Sequence, residues 1–396
     1  MNAGSAPIHV GIDATTWWND RGFGRFTREL VRALVQRGAG FRYTLVVDQP
    51  DDGSLPPGTR VVAASPKRTL DQSAVGSSAR SPAELWSMAR VAARERFDLF
   101  FFPAVYSYFP LLSRTKTVVA FHDTIAERFP KLVFPTRRNH LLWQAKVALA
   151  RQQAERVLTV SEASARDIVR FLGVARERID VITEGPSPTF RRLPGIDLGS
   201  VRQRLRLPAE GELLVYVGGL SPHKNVISLL RALPAIVAGA PSVHLAIVGD
   251  ISGKGFMDNV AQLRDFVAAR PALAPHVTFT GYLPDEQLVE LFQAASALVF
   301  PSLWEGFGLP AVEAMATGLP VLASERGSLP EVIADAGLFF EPDSPSGIAR
   351  VCLKFLGDPA LQQRLREAAE SRVQRFTWSR AAELTELSFQ RCLGKI

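Results

Sequence analysis

Glu305 and Glu313 carry the first chemical signal in this chain. They frame the stretch Pro301-Ser-Leu-Trp-Glu-Gly-Phe-Gly-Leu-Pro-Ala-Val-Glu313. The apolar run Ala297–Phe300 just before it reads as a buried strand. Pro310 suits the first turn of a helix, where its missing N–H costs nothing. Glu305 is thus expected in the loop at the strand's carboxyl end, and Glu313 about one turn into the helix. Open α/β sheets bind ligands at that edge, and a helix N-terminus there attracts phosphate through its free N–H groups. A carboxylate does nothing for a phosphate, but it accepts hydrogen bonds from sugar hydroxyls. The combination points to a nucleotide-sugar site.

Three further clusters fall at comparable places. Leu213–Val217 reads as a strand, followed by Gly218, Gly219 and Lys224 and then a helix beginning near Asn225. The glycines permit close backbone approach, and Lys224 can pair with a diphosphate. In the first half, strand Ile8–Asp13 precedes Arg21-Gly-Phe-Gly-Arg-Phe-Thr27. This partly matches the dinucleotide fingerprint, but its third position is Thr27 and the turn is long, carrying Trp17 and Trp18. A loop of Gly22, Phe23 and Gly24 near an acceptor or a phosphate fits better. His122 and Asp123 follow the strand Thr117–Phe121. There a histidine can donate to a substrate hydroxyl or a developing oxyanion, or act as a base. No D-x-D triplet occurs, so no metal on paired aspartates is expected, and diphosphate charge falls to Lys224, arginines and helix N-termini.

Elements must hold these residues, and the sequence supplies them in alternation. Further strands are expected at Tyr43–Asp48, Leu99–Pro103, Arg156–Val160 and Ile179–Thr183, then at His244–Val248, Val277–Thr280, Pro320–Ala323 and Leu338–Phe340. Helical patterns such as Arg25–Arg37 lie between them. Alternation of this kind makes parallel sheets covered by helices. A Pro-containing polar stretch from Glu184 to about Gly211 reads as a linker. The expected organisation is an α/β chain of two Rossmann-like, doubly wound domains facing across a cleft: 1–200, 201–375 and a closing segment 376–396. The last helix, Trp378–Cys392, either stays on its own domain or crosses back to the first.

At 396 residues the chain is too long for one ordinary core. With 47% hydrophobic and 21% charged residues it has a globular composition. No apolar run approaches the ~18 residues of a membrane span, and no leader pattern precedes the first strand, so a cytoplasmic location is expected. The two cysteines, Cys352 and Cys392, have no metal-ligand spacing. The net charge of +7 favours anionic partners. Without zinc spacing or an RNA motif, nucleic acid is set aside in favour of a phosphorylated substrate or an acidic lipid surface. Arg137–Gln153 reads as a basic helix with Leu141, Leu142, Trp143 and Val147. Packing on its own sheet with its arginines in water is the leading reading. Lying on an anionic membrane is the other.

With these residues in place, the chain resembles the retaining, nucleotide-sugar-dependent glycosyltransferases of the GT-B fold, family 4. The likeness runs through Gly22–Gly24, His122-Asp123, Val160–Asp167, Ile179–Gly185, Gly218–Asn225, the E-x7-E segment Glu305–Glu313 and the closing Phe376-Thr-Trp-Ser379 with its helix. The resemblance implies that Glu313 holds the ribose. It implies that Glu305, with Gly306, Phe307, Gly308 and Leu309, holds the donor sugar and phosphates. Gly218, Gly219 and Lys224 meet the diphosphate, and His122, Glu305 and Lys224 border the reacting centre. The first domain takes the acceptor, and the last helix crosses back to it. Many relatives carry Arg where Gly219 stands, so His223 or an arginine from elsewhere must replace that charge. Glu184 stands where relatives often have Asn.

The implied activity is retaining, metal-independent hexosyl transfer, with no cofactor beyond the nucleotide-sugar co-substrate. The donor would pass its sugar to a glycan or lipid-linked acceptor of cell-surface polysaccharide assembly, at the inner membrane. Similarity to mannosyl- and rhamnosyltransferases puts GDP-mannose ahead of UDP-sugars. The rivals are a non-catalytic sugar-nucleotide-binding subunit and a GT-B-like epimerase.

Overall fold

The computed structural model describes residues 6–19, 22–64, 82–252 and 259–396. The chain divides into two compact units. The first comprises Met1–Pro130, Phe134–Glu184 and Thr377–Ile396, and the second Lys131–Val133 with Gly185–Phe376.

The first unit holds β1 (Ile8–Asp13), β2 (Phe41–Val47), β3 (Arg60–Ala63), β4 (Leu99–Phe102), β5 (Lys116–Ala120), β6 (Arg156–Thr159) and β7 (Ile179–Val181). They form one sheet in the order β3-β2-β1-β4-β5-β6-β7, with every pair parallel. Parallel strands covered by helices on both faces are buried throughout, so they appear as short apolar runs such as Leu99–Phe102, whose four residues are fully buried. The edge strand β3 is the exception. Its Arg-Val-Val-Ala is only half-buried, and that weak pattern gave no strand signal in the sequence.

The second unit holds β8 (Leu213–Val217), β9 (His244–Val248), β10 (Val277–Gly281), β11 (Ala297–Phe300), β12 (Val321–Ser324) and β13 (Gly337–Phe340). Their order is β10-β9-β8-β11-β12-β13, again all parallel. In each sheet the order reverses at one place: between β1 and β4 in the first, and between β8 and β11 in the second. Loops leaving the two strands at such a reversal diverge and leave a crevice, where ligands of open α/β sheets sit.

The helix Trp378–Leu393 belongs to the first unit. Phe389 packs edge-on against Phe41 and Phe101, with ring centroids 5.9 and 5.4 Å apart. Asp180, the middle residue of β7, accepts hydrogen bonds from Ser388 Oγ at 2.6 Å and Arg391 Nη1 at 2.7 Å. Thr377 caps the helix by accepting from the N–H of Arg380. Both cysteines are free and buried. No helix among the described residues is long and apolar enough to cross a membrane.

Candidate active site

The two loops of the second unit that carry the expected donor-binding residues leave β8 and β11, the neighbours at its point of strand-order reversal. Glu305 lies in the loop after β11 and is buried, and Glu313 is buried in the helix Leu309–Ala316. Lys224, in the 3-10 turn after β8, donates to both carboxylate oxygens of Glu305, at 2.8 and 2.9 Å. The side chains retain 20% and 9% of their exposure. A cation expected on the diphosphate and a carboxylate expected on the donor sugar and phosphates are therefore paired directly with each other. Asn225 fixes the Lys224 turn by donating to the carbonyls of Pro301 and Pro342, at 3.1 and 2.8 Å.

Gly308 starts the Glu313 helix at φ +93°, and a Cβ there would lie 2.6 Å from Leu329 Cδ2. The left-handed backbone disfavours any residue with a Cβ, and Leu329 would have to shift to admit one. Ser328 holds the Gly306–Phe307 turn, its hydroxyl reaching the carbonyls of Glu305 and Phe307 at 3.1 and 2.9 Å. Phe307 is buried against Phe376. Gly218 donates its N–H to Val248, and the Gly219 carbonyl accepts from Tyr216 Oη at 2.6 Å. A Cβ on Gly219 would meet nothing within 4 Å, so the missing arginine is not excluded by crowding.

His223 stands directly before Lys224. Burial and the neighbouring Lys224 charge push its pKa down to about 4, which leaves it neutral at pH 7. Arg326, in the loop after β12, is already paired with Glu341 and with Asp343, the latter at 2.6 Å.

In the first unit, Gly22, Phe23 and Gly24 are not a loop. They form the first turn of the helix Gly22–Arg37, and Arg21 lies outside the described residues. A Cβ on Gly24 would sit 1.9 Å from the Asn19 carbonyl oxygen and 2.9 Å from that of Thr16. This glycine is thus required by helix-to-turn packing, whatever else it borders. Gly24→Ala is expected to cost about 3 kcal/mol in chemical denaturation. An unchanged midpoint would mean that the turn yields.

His122 is buried just beyond β5. Its Nε2 lies 2.8 Å from the carbonyl oxygen of Pro103, which follows β4, and its Nδ1 lies 3.5 Å from Glu184 Oε1. Phe26 packs edge-on against the imidazole at 4.4 Å. Burial by itself lowers the pKa of His122. The hydrogen bond and charge of Glu184, the Pro103 carbonyl and the charge of Asp123 outweigh it and leave the pKa raised. Both ring nitrogens face protein acceptors, and the raised pKa favours the protonated form of the ring. Asp123 accepts from the Ile125 N–H at 2.9 Å and so helps fix the short helix that follows. Glu184 is the residue in this cluster that motif reading passed over. Its signal was only that it stands where an amide is common.

The family follows from the sequence matches. A family model described as Glycosyl transferases group 1 matches residues 200–372, and one described as Glycosyltransferase Family 4 matches residues 21–188. The chain belongs to these group 1 and family 4 glycosyltransferases. The D-inositol 3-phosphate glycosyltransferase of Streptomyces avermitilis is 34% identical over 239 residues, 59% of this chain and 51% of that protein. The chain therefore spans about half the length of that relative. The O-antigen chain mannosyltransferase B of Escherichia coli is 29% identical over 270 residues, 68% of this chain and 69% of that protein. The fold is GT-B. Among solved structures it is similar to HepE of Anabaena in complex with UDP-glucose, with a TM-score of 0.73 at 20% identity over 96% of this chain and 98% of that one.

Proposed function

We propose that this chain is a retaining glycosyltransferase that moves a hexose from a nucleotide-diphosphate donor to a glycan or lipid-linked acceptor of surface polysaccharide assembly. The observation that carries this reading is the Lys224–Glu305 pair at the strand-order reversal, with Glu313 in the adjoining helix. Donor binding opens the pair. Lys224 turns to the diphosphate and Glu305 to the sugar hydroxyls, while Gly218, Gly219 and Gly306–Leu309 offer backbone to the donor and Glu313 takes the ribose. In the reaction, the bond from the anomeric carbon to the diphosphate oxygen breaks. The acceptor oxygen bonds to the same face of that carbon, and its proton passes to the departing diphosphate oxygen. No protein base is needed, so the residues contribute orientation and charge stabilisation. His122 serves as a positive group and not as a proton acceptor.

GDP-mannose is the favoured donor, supported by the likeness to the mannosyltransferase. The D-inositol 3-phosphate glycosyltransferase favours a second acceptor class, a phosphorylated polyol. A thermal-shift screen with UDP-, GDP-, ADP- and dTDP-sugars tests the donor. A ligand at a hundredfold excess over its Kd stabilises the folded chain by about 2.7 kcal/mol. The matching donor should then release nucleoside diphosphate slowly alone and faster with acceptor, and proton NMR of the product should show the donor's anomeric configuration. A screen with no stabilising nucleotide and no release would remove the proposal.

The helix Arg137–Gln153 supports a membrane-facing acceptor. It buries Val147 and Ala150, while Leu141, Leu142 and Leu149 are 65%, 55% and 47% exposed beside the exposed Arg137 and Arg138. Reversing both arginine charges should cut sedimentation with anionic liposomes about tenfold or more, since each basic residue near such a surface is worth about 1 kcal/mol. Unaltered sedimentation would discard the membrane surface.

A further inference from the structure

We infer that Glu184 is a positioning residue that keeps His122 charged and fixed, so that His122 acts in the transfer as a buried cation. The inference rests on the proposed placement of His122 beside the reacting sugar, but its first test does not depend on it.

The geometry assigns a partner to each ring nitrogen. The Pro103 carbonyl only accepts, so Nε2, at 2.8 Å, must carry a proton. Glu184 Oε1 faces Nδ1 at 3.5 Å, the outer limit of a hydrogen bond and well inside the range of strong charge attraction. An ionised Glu184 therefore favours a proton on Nδ1 as well, which makes the ring an imidazolium. Both side chains are buried, with 10% and 7% of their surface exposed, and water screens the pair weakly. Three elements and the residue's own loop set the surroundings. Phe26, from the helix Gly22–Arg37, closes one side with an apolar ring. Ser164, from the helix Glu162–Asp167, donates its hydroxyl to the His122 carbonyl at 3.0 Å and fixes the backbone. Glu184 comes from the segment after β7, and Asp123 adds a second negative charge from the same loop. An amide at position 184 can instead donate to a bare Nδ1 and leave the ring neutral. The glutamate thus changes the charge of the histidine without changing its place.

Nitrogen-15 NMR of the imidazoles in the full chain reads this directly, with the His122 signals identified by their loss in His122→Gln. In the wild type both nitrogens should stay protonated to a higher pH than in free histidine. In Glu184→Gln the titration should move to lower pH, with the remaining proton on Nε2. Glu184→Asp, which keeps the charge, should restore much of the wild-type behaviour, and it keeps the test open should the Gln variant fold poorly. The stability contributed by the pair has the matching sign. It is complete below the ordinary histidine value of 6.5 and is lost as pH rises through the raised value of the folded state.

With the best donor, the alkaline fall in kcat should follow the ring. It should move to lower pH in Glu184→Gln, with kcat at the alkaline end down roughly tenfold, and return in Glu184→Asp, with the donor KM little changed. A wild-type ring that titrates normally, or one indifferent to Glu184→Gln, overturns the inference. A ring that shifts while the kcat profile stays still overturns its catalytic half. Failure of the proposed function looks different: no donor is turned over, and the ring titration remains as described.

Discussion

Lys224→Met should both destabilise the second unit and abolish tight binding of a nucleoside diphosphate. The destabilisation follows from what remains. Glu305, with its side chain 9% exposed, loses the ammonium that donates to both of its oxygens at 2.8 and 2.9 Å. A buried carboxylate stripped of its partner is worth about 3 to 5 kcal/mol of lost stability. The lower figure applies here, because Lys224 keeps 20% of its exposure and water already screens the pair. Adding Glu305→Gln removes the stranded charge, so the double variant should regain most of the urea midpoint. It should not regain the ligand. Calorimetry should show the double variant still binding the diphosphate at least about tenfold more weakly than the wild type, while a nucleoside without phosphate distinguishes the two poorly. If the single variant unfolds at the wild-type midpoint, the pair is not stabilising. If the diphosphate binds the double variant normally, Lys224 is not its cation.

Much of this site was legible because its parts are local. The strand Ala297–Phe300, the positive-φ turn at Gly308 and Pro310 in the first helical turn put Glu305 in a loop and Glu313 on a helix without any tertiary information. The same holds for β8 and Lys224. The strand register that makes these two loops neighbours, β8 beside β11, depends on sheet order, which short-range patterns do not encode. That Lys224 would close on Glu305, rather than wait open for phosphate, was equally out of reach.

Composition misled at the linker. The polar, Pro-containing stretch runs on to Gly211, yet the compact units part at Glu184–Gly185, because the stretch packs on the second unit. Gln293 exchanges hydrogen bonds with the Leu193 backbone at 2.7 and 2.9 Å, and Phe190 meets Phe292 with ring centroids 6.1 Å apart. The assembly of the His122 cluster was out of reach for the opposite reason. Its members, at positions 26, 103, 122 and 184, come from separate elements, and only the fold assembles them. The glycines at positions 22 and 24 read as a loop because glycine weakens a helix by about 1 kcal/mol. Here the tight approach of Gly24 to Asn19 outweighs that cost.

Glu313→Ala should weaken nucleotide binding about tenfold to a hundredfold, the equivalent of one or two hydrogen bonds from sugar hydroxyls to a charged acceptor. The residue is 4% exposed, so truncation also leaves a cavity. Glu313→Gln keeps the volume and separates the two effects. Deoxyribose analogues make the test specific to the ribose. The wild type should bind a nucleotide lacking the ribose hydroxyls more weakly than its parent, and Glu313→Ala should bind both alike, because the group that told them apart is gone. Turnover at saturating donor should fall less than affinity, since ribose contacts are the same before and during bond cleavage and uniform binding does not raise kcat. His122→Gln should show the reverse pattern, with affinity kept and kcat reduced, since a positive charge near the reacting centre acts most strongly as negative charge develops on the departing oxygen. Unchanged nucleotide affinity in Glu313→Ala, or deoxyribose discrimination that survives it, would sink the ribose assignment and leave the buried carboxylate as a support for the helix Leu309–Ala316 alone.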